Sequence, residues 1–189
     1  MNTQEILQRL KDGNARFVAD HLDGKLQDSK RRDVLTSGQE PYAIVLSCAD
    51  SRVVPELAFD TGLGELFVVR VAGNIANPSS IASIEYAVAH CGSSVIVVMG
   101  HQSCGAVTAA IAGGDNGYNI NQLLAFIAPA IAASDEGASV NDIVKTNAIL
   151  TVKSLMDQSQ IIRDAVTNET VTVIPAYYNL DSGKVDFLA

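Results

Sequence analysis

Three short, nearly continuous apolar runs constrain the fold of this chain more than any other feature. They span residues 42–47, 66–71 and 95–99 and are rich in Val and Ile. Strands with this pattern are buried on both faces, which is typical of the interior of a parallel sheet. Segments with helical patterning separate the later runs. The alternation predicts an α/β fold with a central, mainly parallel sheet flanked by helices.

The rest of the chain completes this prediction. The predicted helices cover residues 2–19, 79–91, 104–112, about 119–133 and 139–166. A fourth strand over 170–178 and a last short strand through Phe187 predict a C-terminal hairpin. We therefore expect an N-terminal helical arm over 1–40 and a single α/β domain over 41–189.

Composition and charge exclude several classes of function. The formal net charge of −8 argues against a nucleic-acid partner, because phosphate binding depends on clustered Lys and Arg. No apolar segment reaches the roughly 18 residues that a membrane span needs. The N-terminal residues lack the basic stretch and apolar core of a secretory signal. We therefore expect a cytoplasmic protein whose thiols stay reduced.

Three potential metal ligands follow the apolar runs. Cys48 comes directly after the first run, His101 follows the third, and Cys104 opens the next predicted helix. Parallel strands end on the same edge of a sheet, so these distant residues can meet there. Thiolate and imidazole are zinc ligands, and a Cys2His set leaves a fourth tetrahedral position for water. The sequence predicts one zinc ion per chain at an open catalytic site.

The cysteines allow two other interpretations. Cys91 would complete a closed Cys3His site, but it ends a helix leading into the third strand and should lie at the opposite edge of the sheet. We interpret it as a packed thiol. A redox pair of Cys48 and Cys104 would leave His101 without a role.

A carboxylate and a guanidinium come just after the first predicted ligand. Arg52 can clamp Asp50 through two hydrogen bonds and hold it ionised beside the metal. Asp50 would then orient the attacking oxygen. Alternatively, Asp50 binds zinc itself and closes the site. The sequence does not distinguish these two arrangements.

Residues 48–53 and 100–105 together resemble the two signature motifs of the β-class carbonic anhydrases. The likeness extends from about Gln39 to Val107, and it returns weakly at residues 176–178 and in the closing hairpin. The resemblance implies that Cys48, His101 and Cys104 are the zinc ligands. It also implies that Asp50 and Arg52 form a catalytic dyad.

Substrate contacts are also implied by the resemblance. Gln39 matches a position whose amide binds substrate, Phe67 and Tyr86 match apolar pocket positions, and Gly105 is assigned as a backbone donor. From the residues alone, Gln39 is equally a turn residue, and Phe67 and Tyr86 are equally core residues.

The implied reaction is the reversible hydration of carbon dioxide to bicarbonate and a proton, in which zinc hydroxide attacks the carbon. A carbonyl sulfide or carbon disulfide hydrolase on the same fold is one alternative. A non-catalytic zinc-binding or redox module is another. Family members assemble as dimers or larger oligomers, so we expect self-association as a dimer or tetramer. Neither nucleic acid nor membrane is expected as a partner.

Overall fold

The computed structural model describes residues 1–188. Its five-stranded sheet has the order β2-β1-β3-β4-β5. The first four of these strands are parallel, and β5 runs antiparallel to β4 as the closing hairpin. This confirms the predicted fold class. The strands are β1 (Ala43–Ser47), β2 (Leu66–Arg70), β3 (Val95–His101), β4 (Thr172–Tyr178) and β5 (Val185–Phe187).

Helices cover both faces of the sheet. They are α1 (Thr3–Val18), α2 (Ser29–Leu35), α3 (Pro55–Ala58), α4 (Pro78–Cys91), α5 (Gly105–Ala112), α6 (Tyr118–Ala125), α7 (Ala128–Ala132), α8 (Val140–Gln158) and α9 (Gln160–Thr167). A short 3-10 turn over Ala72–Asn74 follows β2. Because successive strand side chains point to opposite faces, the central strands supply two separate apolar layers.

One layer lies under α1 and α3. Ile6 and Leu10 of α1 pack against Val45 and Val97 of the two central strands. The first helix therefore buries its apolar face in the core of the same chain. A boundary between an arm and a domain near Pro41 stays a prediction.

The other layer lies under α4, α8 and α9. Ile44 and Ile96 point to this face, where they meet Ile84 of α4, Leu155 of α8 and Ile162 of α9. All five side chains are fully buried. Both faces of β1 and β3 are thus covered, which explains why these strands are continuous apolar runs rather than alternating ones.

Asn14 ties the first helix to two distant parts of the chain. Its Nδ2 donates to the carbonyl oxygens of Ala58, at 2.9 Å, and Gly183, at 2.8 Å. Its Oδ1 accepts a hydrogen bond of 2.8 Å from the N–H of Val185. This buried amide thereby satisfies backbone groups of α3 and the C-terminal hairpin.

The structure corrects the predicted helices in three places. The predicted helix over 139–166 is two helices, because Ser159 ends α8 and its Oγ caps α9 by accepting from the N–H of Ile162. The predicted helix over 119–133 is also divided, with Pro129 in the first turn of α7. The predicted helices leave out residues 20–40, where the structure has α2.

Among the described residues, none of the helices has both the length and the hydropathy required to cross a bilayer.

Candidate metal centre

The structure brings the three predicted metal ligands together. Cys48 follows the last residue of β1, His101 is the last residue of β3, and Cys104 is the residue before α5. Their ligand atoms all lie within 4.8 Å of one another. All three side chains are buried, at 4%, 0% and 1% exposure respectively. The convergence at one sheet edge is thus confirmed, and the group can hold a metal ion.

The imidazole of His101 is oriented for coordination. Its Nδ1 lies 2.9 Å from the carbonyl oxygen of Gln102, to which it donates its proton. The other ring nitrogen, Nε2, is buried and has no hydrogen-bond partner. Metal-binding histidines commonly make this second contact, which fixes the tautomer and the ring plane. Two buried sulfurs and an unpartnered imidazole nitrogen fit the zinc donor set.

The two thiols differ in their electrostatic surroundings. The pKa of Cys48 is lowered, first by a hydrogen bond from Cys104 and also by contacts with His101 and the N–H of Gly73. The pKa of Cys104 is raised by the same contact with Cys48 and by burial. Cys48 is therefore the thiol that ionises more readily, and thiolate is the form that binds metal.

Arg52 clamps the carboxylate of Asp50 beside this cluster. Its Nε and Nη2 donate to the two carboxylate oxygens at 2.9 Å and 2.7 Å, and its backbone N–H adds a third bond of 3.0 Å. These contacts hold the pKa of Asp50 far below its usual range. Oδ2 of Asp50 lies 3.8 Å from Nε2 of His101. An ionised carboxylate therefore borders the three ligand atoms.

Arg70 is a site residue that the sequence reasoning missed. Its Nε donates to the carbonyl oxygen of Cys48 at 3.0 Å, and its Nη2 donates to that of Asp50 at 2.7 Å. Arg70 ends β2 and lies in register with Ser47, the last residue of β1. Arg70 is a charged residue at the end of an apolar strand, on the sheet edge where the predicted metal ligands lie. This sequence signal could have identified it.

Three further contacts were also missed. Gly73 donates its N–H to Sγ of Cys48 at 3.3 Å, and Asn147 of α8 holds the carbonyl of Gly73. Asn141, also of α8, accepts from the N–H of Ser103 at 2.9 Å. Because α8 is distant in sequence from both motifs, no local pattern indicated these contacts.

The predicted substrate residues are not gathered at one place. Gln39 precedes β1 and is exposed, whereas Cys48 follows that strand. Five residues separate them as strand, a length of about 16 Å. One chain therefore does not bring Gln39 to its own metal ligands. Gly105, by contrast, opens α5 directly after Cys104.

Phe67 and Tyr86 form an aromatic pair at the β2 edge of the sheet. Their ring centroids are 6.4 Å apart, and Tyr86 is 53% exposed. Phe67 lies in register with Ile44, near the amino end of β1 and away from Cys48. The substrate role of this pair stays a prediction.

Cys91 lies apart from the metal ligands. It ends α4, before β3 begins, and lines a surface cavity with Gln39 and Glu40. It is absent from the group of converging ligands. Its expected place at the opposite edge of the sheet is confirmed, and a Cys3His set is not formed.

The chain is similar to known carbonic anhydrases along most of its length. A family model described as carbonic anhydrase matches residues 43–185. The chain is 37% identical over 181 residues to carbonic anhydrase 2 of Mycobacterium tuberculosis, covering 93% of this chain and 87% of that protein. It is 37% identical over 183 residues to the carbonic anhydrase of Mycolicibacterium smegmatis, covering 94% and 89%.

Solved structures show the same fold. A Coccomyxa β-carbonic anhydrase in complex with acetazolamide superposes with a TM-score of 0.78 at 27% identity, over 92% of this chain and 82% of that one. One of two tetrameric β-carbonic anhydrases from Sordaria macrospora gives a TM-score of 0.75 at 27% identity, over 84% and 85%. With its parallel sheet and its Cys-His-Cys cluster, the chain belongs to the β-class carbonic anhydrase family of enzymes.

Proposed function

We propose that this chain catalyses the reversible hydration of carbon dioxide to bicarbonate and a proton, with one zinc ion held by Cys48, His101 and Cys104. The observation that carries the proposal is the convergence of these three ligand atoms within 4.8 Å. The clamped carboxylate of Asp50 lies at the same edge, 3.8 Å from His101. When bound, zinc acidifies a coordinated water and so supplies the nucleophile for carbon dioxide.

The protein ligands set the charge of the site. Cys48 and Cys104 would bind as thiolates and cancel the formal charge of Zn²⁺, while His101 would bind as neutral imidazole. Apolar residues surround the two sulfurs, including Ile75, Val107 and Ile127. This low-dielectric shell strengthens the interactions between the charged groups.

Asp50 is proposed to accept a hydrogen bond from the attacking oxygen at its Oδ2. Because Arg52 keeps the carboxylate ionised and fixes both of its oxygens, Asp50 can act only as an acceptor. This acceptor would orient a nucleophile that retains a proton to donate. The same clamp favours the open site over one in which Asp50 binds zinc, because ligation would require these hydrogen bonds to be given up.

Substrate binding is proposed to involve both the chain itself and a second copy. Gly105 follows Cys104 in the first turn of α5, where backbone N–H groups lack intrahelical partners and can hold a product oxygen. Gln39, Phe67 and Tyr86 lie too far along the sheet to serve their own site. We infer that they contribute to substrate binding only across an interface between copies of this chain.

Self-association and cellular setting complete the proposal. The Sordaria macrospora relatives are tetrameric, and we propose that this chain forms a dimer or tetramer, which light scattering would identify. We also propose a cytoplasmic setting, because Cys48, Cys91 and Cys104 are free thiols. Two of them must stay reduced to bind zinc.

Stopped-flow measurement of carbon dioxide hydration tests the function. Zinc-loaded protein is compared with chelator-stripped protein and with protein reloaded with zinc, and each sample is also assayed for carbonyl sulfide hydrolysis. We expect hydration that disappears on stripping and returns on reloading. Hydrolysis of carbonyl sulfide without hydration would assign the hydrolase function instead. Zinc binding without either reaction would indicate a non-catalytic module.

A further inference from the structure

Asn147 is connected to the metal ligand Cys48 through a single intervening residue. Its Nδ2 donates to the carbonyl oxygen of Gly73 at 2.9 Å, and the N–H of Gly73 donates to Sγ of Cys48 at 3.3 Å. Both hydrogen bonds are buried. Gly73 is thus held on one side by α8 and faces the sulfur on the other.

The conformation of Gly73 makes this arrangement specific. Its φ of 74° lies in the left-handed region, which favours glycine. A Cβ at this position would lie 2.9 Å from Cδ1 of Ile127 and 3.4 Å from Cβ of Ala106. The N–H can point at Cys48 only while the turn keeps this backbone geometry. Asn147 holds the carbonyl that follows in the same turn.

The position of Asn147 is unfavourable for a polar amide. The side chain is 2% exposed and lies in the interior of α8, although Asn is a poor helix former. Its buried neighbours on the same helix include Val144 and Ala148. An apolar residue would suit this position better, unless the amide is needed to satisfy and orient Gly73.

The same helix also contacts the segments that carry the other two ligands. Oδ1 of Asn141 accepts from the N–H of Ser103, the residue before Cys104, at 2.9 Å. Val144 packs so closely on Gly100, the residue before His101, that a Cβ there would lie 2.7 Å from its Cγ1. Together with Asn147, these residues recur at helical spacing and share one face of α8.

We propose that Asn147 is a positioning residue for the metal site, which holds Gly73 so that its N–H donates to the thiolate of Cys48. A hydrogen bond to a coordinating thiolate withdraws electron density from the sulfur and fixes its direction. Loss of such outer contacts weakens metal binding about 10- to 100-fold. The inference rests on the proposed metal binding at Cys48, His101 and Cys104.

The test uses metal affinity and a spectroscopic signature rather than activity. Asn147→Leu removes the donor and keeps the number and the branching of the side-chain heavy atoms. Thr151→Val is the matched control, because Thr151 lies one turn further along α8 and is 5% exposed. Zinc affinity is measured by competition with a chelator, and the sulfur-to-metal charge-transfer band is recorded after loading with Co²⁺.

We expect Asn147→Leu to bind zinc at least about 10-fold more weakly and to shift the cobalt band to lower energy, because the sulfur becomes more electron-rich. Thr151→Val should match the wild type in both measurements. Equal affinities and equal bands for the two variants would overturn the proposal. A wild type that takes up neither zinc nor cobalt at sulfur would instead refute the proposed function.

A second measurement applies if Asn147→Leu does not fold. Wild-type protein loaded with ¹¹³Cd is studied by NMR for scalar coupling between the metal and the Gly73 amide proton, and between the Asn147 side-chain amide and the Gly73 carbonyl carbon. Both couplings are expected, because each passes through a hydrogen bond. Absence of either coupling overturns the proposal.

Discussion

Arg52 holds both carboxylate oxygens of Asp50, with Nε 2.9 Å from Oδ1 and Nη2 2.7 Å from Oδ2. This pair differs from an ordinary surface ion pair, since Asp50 Oδ2 also lies 3.8 Å from the unpartnered Nε2 of His101. The geometry assigns Arg52 a defined task. It keeps Asp50 ionised and fixed beside the Cys48, His101 and Cys104 side chains.

Asp50→Asn should lower turnover strongly and leave metal binding intact. The amide has the shape of the carboxylate, but it is neutral and can present an N–H where an acceptor is needed. We expect kcat for carbon dioxide hydration to fall about 100-fold or more, with zinc still bound at one per chain. Stopped-flow kinetics and metal analysis on the same sample measure both. Asp60→Asn is the control, because Asp60 is also an Asp paired with an Arg. Its turnover should equal that of the wild type. Wild-type turnover in Asp50→Asn would show that the proposed role of Asp50 is wrong.

Activity should rise through mildly alkaline pH. Two thiolates cancel the charge of Zn²⁺, whereas three imidazoles leave it at +2, so the coordinated water should be less acidic than the value near 7 of a three-histidine site. Asp50 stays ionised throughout this range, because Arg52 lowers its pKa. The rise therefore cannot come from Asp50. Hydration rates between about pH 6.5 and 9 test this expectation, and a flat profile would count against it.

Asp60→Asn should destabilise the protein in a pH-dependent way. Burial raises the pKa of Asp60, but hydrogen bonds from Arg16 and from the N–H groups of Asp23 and Gly24 outweigh it and lower the pKa overall. A lowered folded-state pKa gives stability that is present above the unfolded value near 4 and is lost as the pH falls through the folded value. We expect a loss of about 1–2 kcal/mol at pH 7 that shrinks in acid.

Urea unfolding at several pH values measures this effect. Asp164→Asn serves as the control, because Asp164 is exposed on α9. Its free energy of unfolding should stay within about 0.5 kcal/mol of the wild type. A constant difference between Asp60→Asn and the wild type from neutral to acid pH would exclude the proposed ionic contribution.

Asn14→Ala should be among the more destabilising substitutions in α1. It leaves the carbonyls of Ala58 and Gly183 and the N–H of Val185 without their partner. We expect the free energy of unfolding to fall by about 3 kcal/mol. Denaturant titration measures this change. Asn121→Ala is the matched control, since the half-buried Asn121 also makes side-chain hydrogen bonds, but these bonds are exposed to solvent. Equal costs for the two variants would contradict the structural role of Asn14.

The positions of the strands and the convergence of Cys48, His101 and Cys104 were predictable from the sequence for one shared reason. Buried parallel strands require continuous apolar runs, and the residues just after such runs must share an edge. Cys48 and His101 could therefore be placed together despite their separation. The same reasoning placed Cys91 at the opposite edge, before β3 begins.

Long-range contacts were not predictable in this way. The interruption at Ser159 depends on the helix cap that its Oγ supplies to α9 and on its 2.6 Å bond to Glu85 of α4, neither of which disturbs the apolar periodicity. Asn147 reaches Gly73 only after α8 packs on the sheet. Two other features did have local signals in the sequence. Pro129 is a residue type that favours the start of a helix, and Arg70 is a charged residue at the end of an apolar strand.

The zinc ligand set is tested most directly by X-ray absorption at the zinc edge of the metal-loaded protein. We expect one zinc per chain with two sulfur ligands at about 2.3 Å and two nitrogen or oxygen ligands at ~2.0–2.1 Å. The expected sulfur ligands are Cys48 and Cys104, so Cys91→Ser should leave the spectrum unchanged. A third sulfur ligand that disappears in Cys91→Ser, or a wild-type protein that binds no zinc, would contradict the open Cys2His site.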